Sequence, residues 1–183
     1  RSNLGAYWCS SAATGCFFSS WLAIGYNNCF AYFLGDFHVI GETFETSAPW
    51  SKIHEVCKAT EERLKAQHQE FDLPGKPYMS YRITQVYHTG VCIYIMFGFY
   101  TKGVENPDEV FEAIEHSLRE TIIENGGSIS HHHGVGKIRK DFLKEILSSL
   151  SIKLIKRVKK CNDPHNIFGI RNNIFADSPK DPI

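Results

Sequence analysis

Residues 78–100 read YMSYRITQVYHTGVCIYIMFGFY, and the fold follows from how this stretch is parsed. β-Branched and aromatic residues dominate both halves, and His88-Thr89-Gly90 offers a short turn between them, so the spacing predicts two antiparallel strands joined as a hairpin. Period two assigns faces in the second strand, with Cys92, Tyr94 and Met96 on one side and Val91, Ile93, Ile95 and Phe97 on the other. Tyr94 is thereby placed on a definite face of a sheet.

Upstream, FHVIGETFE (37–45) has strand character, and TSAPW supplies a helix start with Ser47 as cap and Pro49 in the first turn. The helix should run to about Phe71, burying Ile53, Val56, Cys57, Thr60 and Leu64, before DLPGKP breaks it. Downstream, Asn106, Pro107, Glu109 and Gly126-Gly127 mark a helix by cap, first turn, capping box and terminator, with Val110, Phe111, Ile114, Leu118 and Ile122 as its stripe. A short SIS strand (128–130) follows. A last helix from about Lys137 carries Ile138, Phe142, Ile146, Leu150 and Ile155, and CNDPHNIFGIRNNIF closes it with turn chemistry. Strand, helix, hairpin, helix, strand, helix is an α+β order, with helices on one face of a mainly antiparallel sheet.

The 183 residues carry no formal net charge, which removes nucleic acid as the electrostatic default partner. Six cysteines are scattered without a C-x-x-C pair, so they read as reduced thiols rather than a zinc knuckle or disulfide scaffold. The chain lacks an initiating methionine and a signal peptide, and reads as an internal or C-terminal fragment. Residues 1–35 stand apart: Ser2 to Gly35 holds no Lys, Arg, Asp or Glu, and polar residues inside CFFSSWLAIGYNNCFAYFL (16–34) argue against a membrane span.

GGSISHHHGVGKIRKDF (126–142) sets His131, His132 and His133 between glycines and a basic run. In an extended segment adjacent side chains point to opposite faces, so His131 and His133 could share a ligand while His132 opposes them, and no metal is expected. Acid–base work suits imidazole better, since it titrates near neutrality. The glycines allow close approach, and a helix beginning at Lys137 would offer N–H groups and positive charge to an anion. The other reading of such a loop is purely structural, its histidines bonding to backbone. Tyr94 alone is more often a core residue than a catalyst. No dinucleotide fingerprint, Walker loop, nucleophile elbow or Cys–His signature is present.

Taken together, GETFETSAPW (41–50), CIYI (92–95), NGGSISHHHGVGKIRK (125–140) and DPHNIFGIRN (163–172) resemble the alkyldihydroxyacetonephosphate synthase family, in its order and spacing over about residues 41–174. That resemblance implies a ferredoxin-like cap or substrate domain over 36–183, belonging to an FAD enzyme whose overall reaction is not a redox change. The family exchanges the acyl chain of acyl-dihydroxyacetone phosphate for a long-chain fatty alcohol, in peroxisomes, as a homodimer with peripheral membrane association. Tyr94 matches its proton donor and acceptor, His131, His132 and His133 its required histidine run, and Arg171 and Asn172 its C-terminal activity segment.

Two departures accompany the match. The family's substrate-binding arginine falls at about Ala31 here, and residues before that point do not follow the pattern. The domain that grips FAD is not in these residues, so no cofactor-binding residue is assigned, and the 183 residues alone are expected to show neither turnover nor tight flavin binding. Two alternatives stay open: the C-terminal domain of another FAD-linked 2-hydroxy-acid oxidase, and a non-catalytic remnant.

Overall fold

The computed structural model describes residues 36–168 and 173–175. The segment 1–35, with its expected lack of a span, and Arg171 and Asn172 lie outside the described residues. Two compact units divide after His133.

The first unit is built on a three-stranded antiparallel sheet: β1 (Val39–Pro49), β2 (Tyr78–Val86) and β3 (Gly90–Tyr100), in the order β1-β3-β2. The hairpin predicted from residues 78–100 is present, and Tyr87 N–H donates to the Gly90 carbonyl at 2.8 Å to close it. A bulge between Ile83 and Gln85 shifts the register before the turn. Helix α1 (Ile53–Glu70) connects β1 to β2, and α2 (Pro107–Glu124) follows β3. Val56 and Leu64 of α1 and Ile114, Leu118 and Ile122 of α2 pack on Phe44, Val91, Ile93, Ile95 and Phe97, all with 2 % exposure or less. Each of these large apolar side chains stabilises the fold by about 1.5–3 kcal/mol through burial. The apolar face read from the alternation of β3 is therefore the core face, and the helices cover it. The chain is α+β.

β1 extends four residues past the expected strand, and Ser47 is not a helix cap. Pairing continues to Pro49 opposite Gly90, so the full length of β3 is matched, and α1 begins only at Ile53. The gain from four further ladder positions outweighs a local cap worth about 1 kcal/mol. Ser47 instead bonds the segment 128–130, which is not a strand. Ser128 N–H donates to the Ser47 carbonyl (2.9 Å), but Ser47 N–H donates to the Ser128 hydroxyl rather than to a carbonyl (2.9 Å). Thr46 Oγ1 donates to the Ser128 carbonyl (2.7 Å). Side chains thus replace ladder bonds beside β1, where a ferredoxin-like sheet would carry its fourth strand. Gly127 is required there, because a Cβ would lie 2.5 Å from Ile122 Cγ2 and 2.9 Å from Thr46 Oγ1.

α2 matches its predicted bounds, although Asn106 adopts a left-handed conformation with no side-chain cap bond. Its hidden surprise is a buried ion pair, Glu115–Arg119, with the Arg119 guanidinium 5.0 Å above the Phe44 ring.

The second unit departs from the single helix expected after Lys137. A 3-10 turn (Lys140–Phe142) runs into a four-residue helix, α3 (Leu143–Ile146), and the chain turns extended at Leu147. α4 (Ser149–Asn162) then starts afresh, with the Ser148 hydroxyl accepting from Ser151 N–H at 3.1 Å. That serine offers an N-cap inside the apolar period, and the cap wins. Of the expected stripe only Phe142 is buried among the described side chains, while Ile146, Leu150 and Ile155 are exposed.

Candidate functional site

β1 and β3 pair Glu45 with Tyr94, Thr43 with Met96 and Ser47 with Cys92, so these residues share the sheet face opposite the helices. On that face residues 130–133 close around one carboxylate. Glu45 is fully buried and accepts the Ser130 hydroxyl (2.8 Å) and the backbone N–H groups of His132 (3.1 Å) and His133 (2.7 Å) on Oε1; His131 N–H donates to Oε2. Burial pushes the Glu45 carboxyl up, but the N–H groups of His133, His131 and His132 and the Ser130 hydroxyl together hold it below its ordinary value. Glu45 thus fixes the backbone of all three histidines, and its Oε1 also lies 3.9 Å from His133 Nδ1.

Those rings meet Tyr94. Its ring stacks near His132 (centroids 6.4 Å apart, planes at 21°) and meets His133 edge-on at 5.6 Å. Its hydroxyl hydrogen-bonds Thr43 Oγ1 at 2.9 Å. Arg82, directly across the hairpin, places its guanidinium carbon 5.6 Å from the Tyr94 ring centroid. His131 reaches the other way, with Nε2 2.7 Å from the Tyr87 hydroxyl. Tyr87 is itself held to β1's end, since Trp50 Nε1 donates to its carbonyl at 2.9 Å. The structure therefore brings together Tyr94, His131, His132 and His133, four residues separately singled out in the sequence.

Two expectations about the loop change. Lys137 lies within a turn (136–139) rather than at the start of a helix, so the helix N-terminus expected to face an anion is not formed there. Adjacent histidines also do not alternate across an extended segment: residues 131–133 are bent, and His131 Nδ1 lies 3.0 Å from His132 Nδ1. Carboxylate capture of consecutive N–H groups bends the backbone and turns neighbouring rings toward each other.

Glu45, Thr43, Arg82 and Tyr87 were not assigned roles from the sequence. One signal was available for Glu45: in G-E-T-F-E-T-S it shares a parity with Thr43 and Ser47, a polar row opposite the Phe44 side.

As a set, these groups offer hydroxyl and imidazole proton carriers, an exposed guanidinium, and aromatic surface on one sheet face. The sequence from 26 to 171 matches the C-terminal domain of FAD-linked oxidases, and the chain belongs to that family. Among curated relatives it is similar to an alkyldihydroxyacetonephosphate synthase of Caenorhabditis elegans, 43 % identical over 136 residues, which is 74 % of this chain and 23 % of that protein. A protein of the same name from Dictyostelium discoideum is 26 % identical over 82 % of this chain and 25 % of its own length. An uncharacterised FAD-linked oxidoreductase of Escherichia coli K12 is 28 % identical over 70 % of this chain and 26 % of its own. The chain thus spans about a quarter of the length of these relatives. A solved alkyldihydroxyacetonephosphate synthase structure shares the fold, with TM-score 0.52 at 18 % identity over 74 % of this chain and 21 % of that one.

The family implies FAD. The tilted aromatic wall of Tyr94 and His132, with hydroxyl and ring nitrogens at its edge, suits a flat heteroaromatic ring carrying hydrogen-bonding edges.

Proposed function

We propose that the chain supplies the proton-transferring wall of an FAD-dependent alkylglycerone-phosphate synthase. The overall exchange replaces the acyl chain of acyl-dihydroxyacetone phosphate with a long-chain fatty alcohol, the ether-forming step of ether-lipid synthesis. The observation supporting this reading is the convergence of Tyr94 and the three histidines on one sheet face, fixed by Glu45. FAD, when bound, supplies a ring that takes up and returns electrons, so that a reaction without net oxidation can pass through it. Its grip comes mainly from a domain outside these residues.

The chain's own groups then have distinct tasks. The Tyr94 hydroxyl takes or gives a proton at the substrate carbon, with Thr43 holding the oxygen in line. His132, the exposed ring of the three, takes the proton of the incoming alcohol oxygen. Arg82 places positive charge beside Tyr94; in the sequence the family's arginine falls at about Ala31, and Arg171 and Asn172 are proposed as substrate-binding residues from their match to the family's C-terminal segment. The enzyme works in peroxisomes as a homodimer associated with the membrane surface.

Tyr94→Phe and His132→Ala, made in the flavin-loaded full-length polypeptide, should each lower alkyl transfer from hexadecanol by about 10²–10⁴-fold. Unchanged rates in both variants would refute the roles. A second reading, prompted by the E. coli oxidoreductase, is a 2-hydroxy-acid oxidase; flavin bleaching by glycolate or lactate, without alkyl transfer, would establish it instead.

A further inference from the structure

We propose that Glu45, Cys92, His131 and His132 form a binding site for one borderline-soft divalent cation, of the Zn²⁺ or Co²⁺ type. Each residue offers one ligand atom, and the four atoms all lie within 4.8 Å of one another. A tetrahedral zinc centre with bonds of about 2.0–2.3 Å has ligand–ligand edges of roughly 3.3–3.8 Å, so the widest edge need contract by only about 1 Å. The His131 and His132 Nδ1 atoms are already 3.0 Å apart.

Second-sphere contacts suit ligation. The Tyr87 hydroxyl beside His131 Nε2 can accept that nitrogen's proton, which leaves Nδ1 with its lone pair toward the cation. His132 is exposed, so its Nε2–H can face water while its Nδ1 binds. Glu45 Oε2 carries one backbone hydrogen bond, against three bonds on Oε1, and keeps a lone pair for the metal. Cys92 is fully buried on the same face as Tyr94, with no apolar packing role in the helix-side core.

The charge balance closes. Binding releases the Cys92 thiol proton to water and forms the S–metal bond, and the one proton between the two Nδ1 atoms moves to Nε2 of the ring that carries it, the other ring already holding its proton on Nε2. One carboxylate, one thiolate and a dication sum to zero, which favours a buried location. A thiolate with two imidazoles excludes Mg²⁺ and Ca²⁺, which take oxygen. The site does not depend on the function proposed above; on that function, a bound cation would occupy the lone pairs that proton transfer needs and silence the site.

The test is Co²⁺ titration of the reduced, chelator-stripped 183-residue chain. One equivalent should give tetrahedral d–d bands and a near-ultraviolet thiolate-to-cobalt band, both displaced by Zn²⁺. Cys92→Ala should abolish the near-ultraviolet band. His132→Ala, at an exposed position that folding does not need, should weaken affinity at least about tenfold. A wild-type spectrum without the thiolate band, a band that survives Cys92→Ala through another cysteine, or full affinity in His132→Ala would each overturn the site.

Discussion

Replacing Glu45 by Gln removes one charge and one acceptor from the group that holds residues 130–133. In the wild type Oε1 accepts three hydrogen bonds and Oε2 one, all charge-assisted and within a fully buried side chain. Hydrogen bonds to charged groups contribute about 1.5–3 kcal/mol against about 1 for neutral pairs, so four bonds weaken together, and the new NH₂ confronts His131 N–H donor to donor. Relief from burying a carboxylate offsets part of this loss. The net expectation is roughly 2–4 kcal/mol. Urea unfolding would report it, and the amides of His131–His133 should exchange with solvent on the order of a hundredfold faster. The pH dependence gives an independent check with chelator present. Because the folded carboxyl lies below its ordinary value of 4.5, its stabilisation is complete above that value and is lost as pH falls through the lower folded value. Glu45→Gln should lose that acid-side slope. A variant within 0.5 kcal/mol of wild type, by the scatter expected of neutral surface changes, with unaltered amide exchange, would refute the clamp.

Gly127→Ala should cost about 1–3 kcal/mol by urea denaturation, since its Cβ meets Ile122 and Thr46 with the Ile122 carbonyl only 3.0 Å away; a cost below about 0.5 would show that the 127–130 segment simply shifts. Burial raises the Cys92 thiol, Thr84 partly opposes it, and the Glu45 charge adds to the rise, so at pH 7.5 a thiol reagent should label exposed Cys161 at least about a hundredfold faster, as read by peptide mass mapping. Equal labelling would place Cys92 outside the buried face.

The hairpin and both long helices of the first unit were legible because their signals are local: period two in β3, and proline and glycine punctuation around α2. The face of Tyr94 followed from the same alternation. Glu45 was not legible as a clamp, because its role needs the pairing of β1 with β3 and a loop about 85 residues away. The length of β1 was missed for a related reason: Ser47-Ala48-Pro49 carries helix-start chemistry, and only a partner strand reaching Gly90 makes it strand. In the second unit, helical period concealed Ser148, whose hydroxyl can start a helix wherever the chain permits an extended residue before it.

The clamp also divides labour between backbone and ring. An acid–base group must be held in place yet change charge and tautomer without dragging its support along. Glu45 meets both demands, because it binds the N–H groups of His131, His132 and His133 rather than their rings as its principal contacts. Its lowered proton affinity keeps it anionic over the range in which imidazole chemistry operates, so the support keeps its charge there. On the proposed roles Tyr94 gains from the same arrangement, since its pair in the β-ladder is Glu45 itself and strand and loop share one reference. A loop anchored by ring hydrogen bonds would lose its geometry each time a proton moved. Anchored by its main chain to a buried carboxylate on β1, it does not.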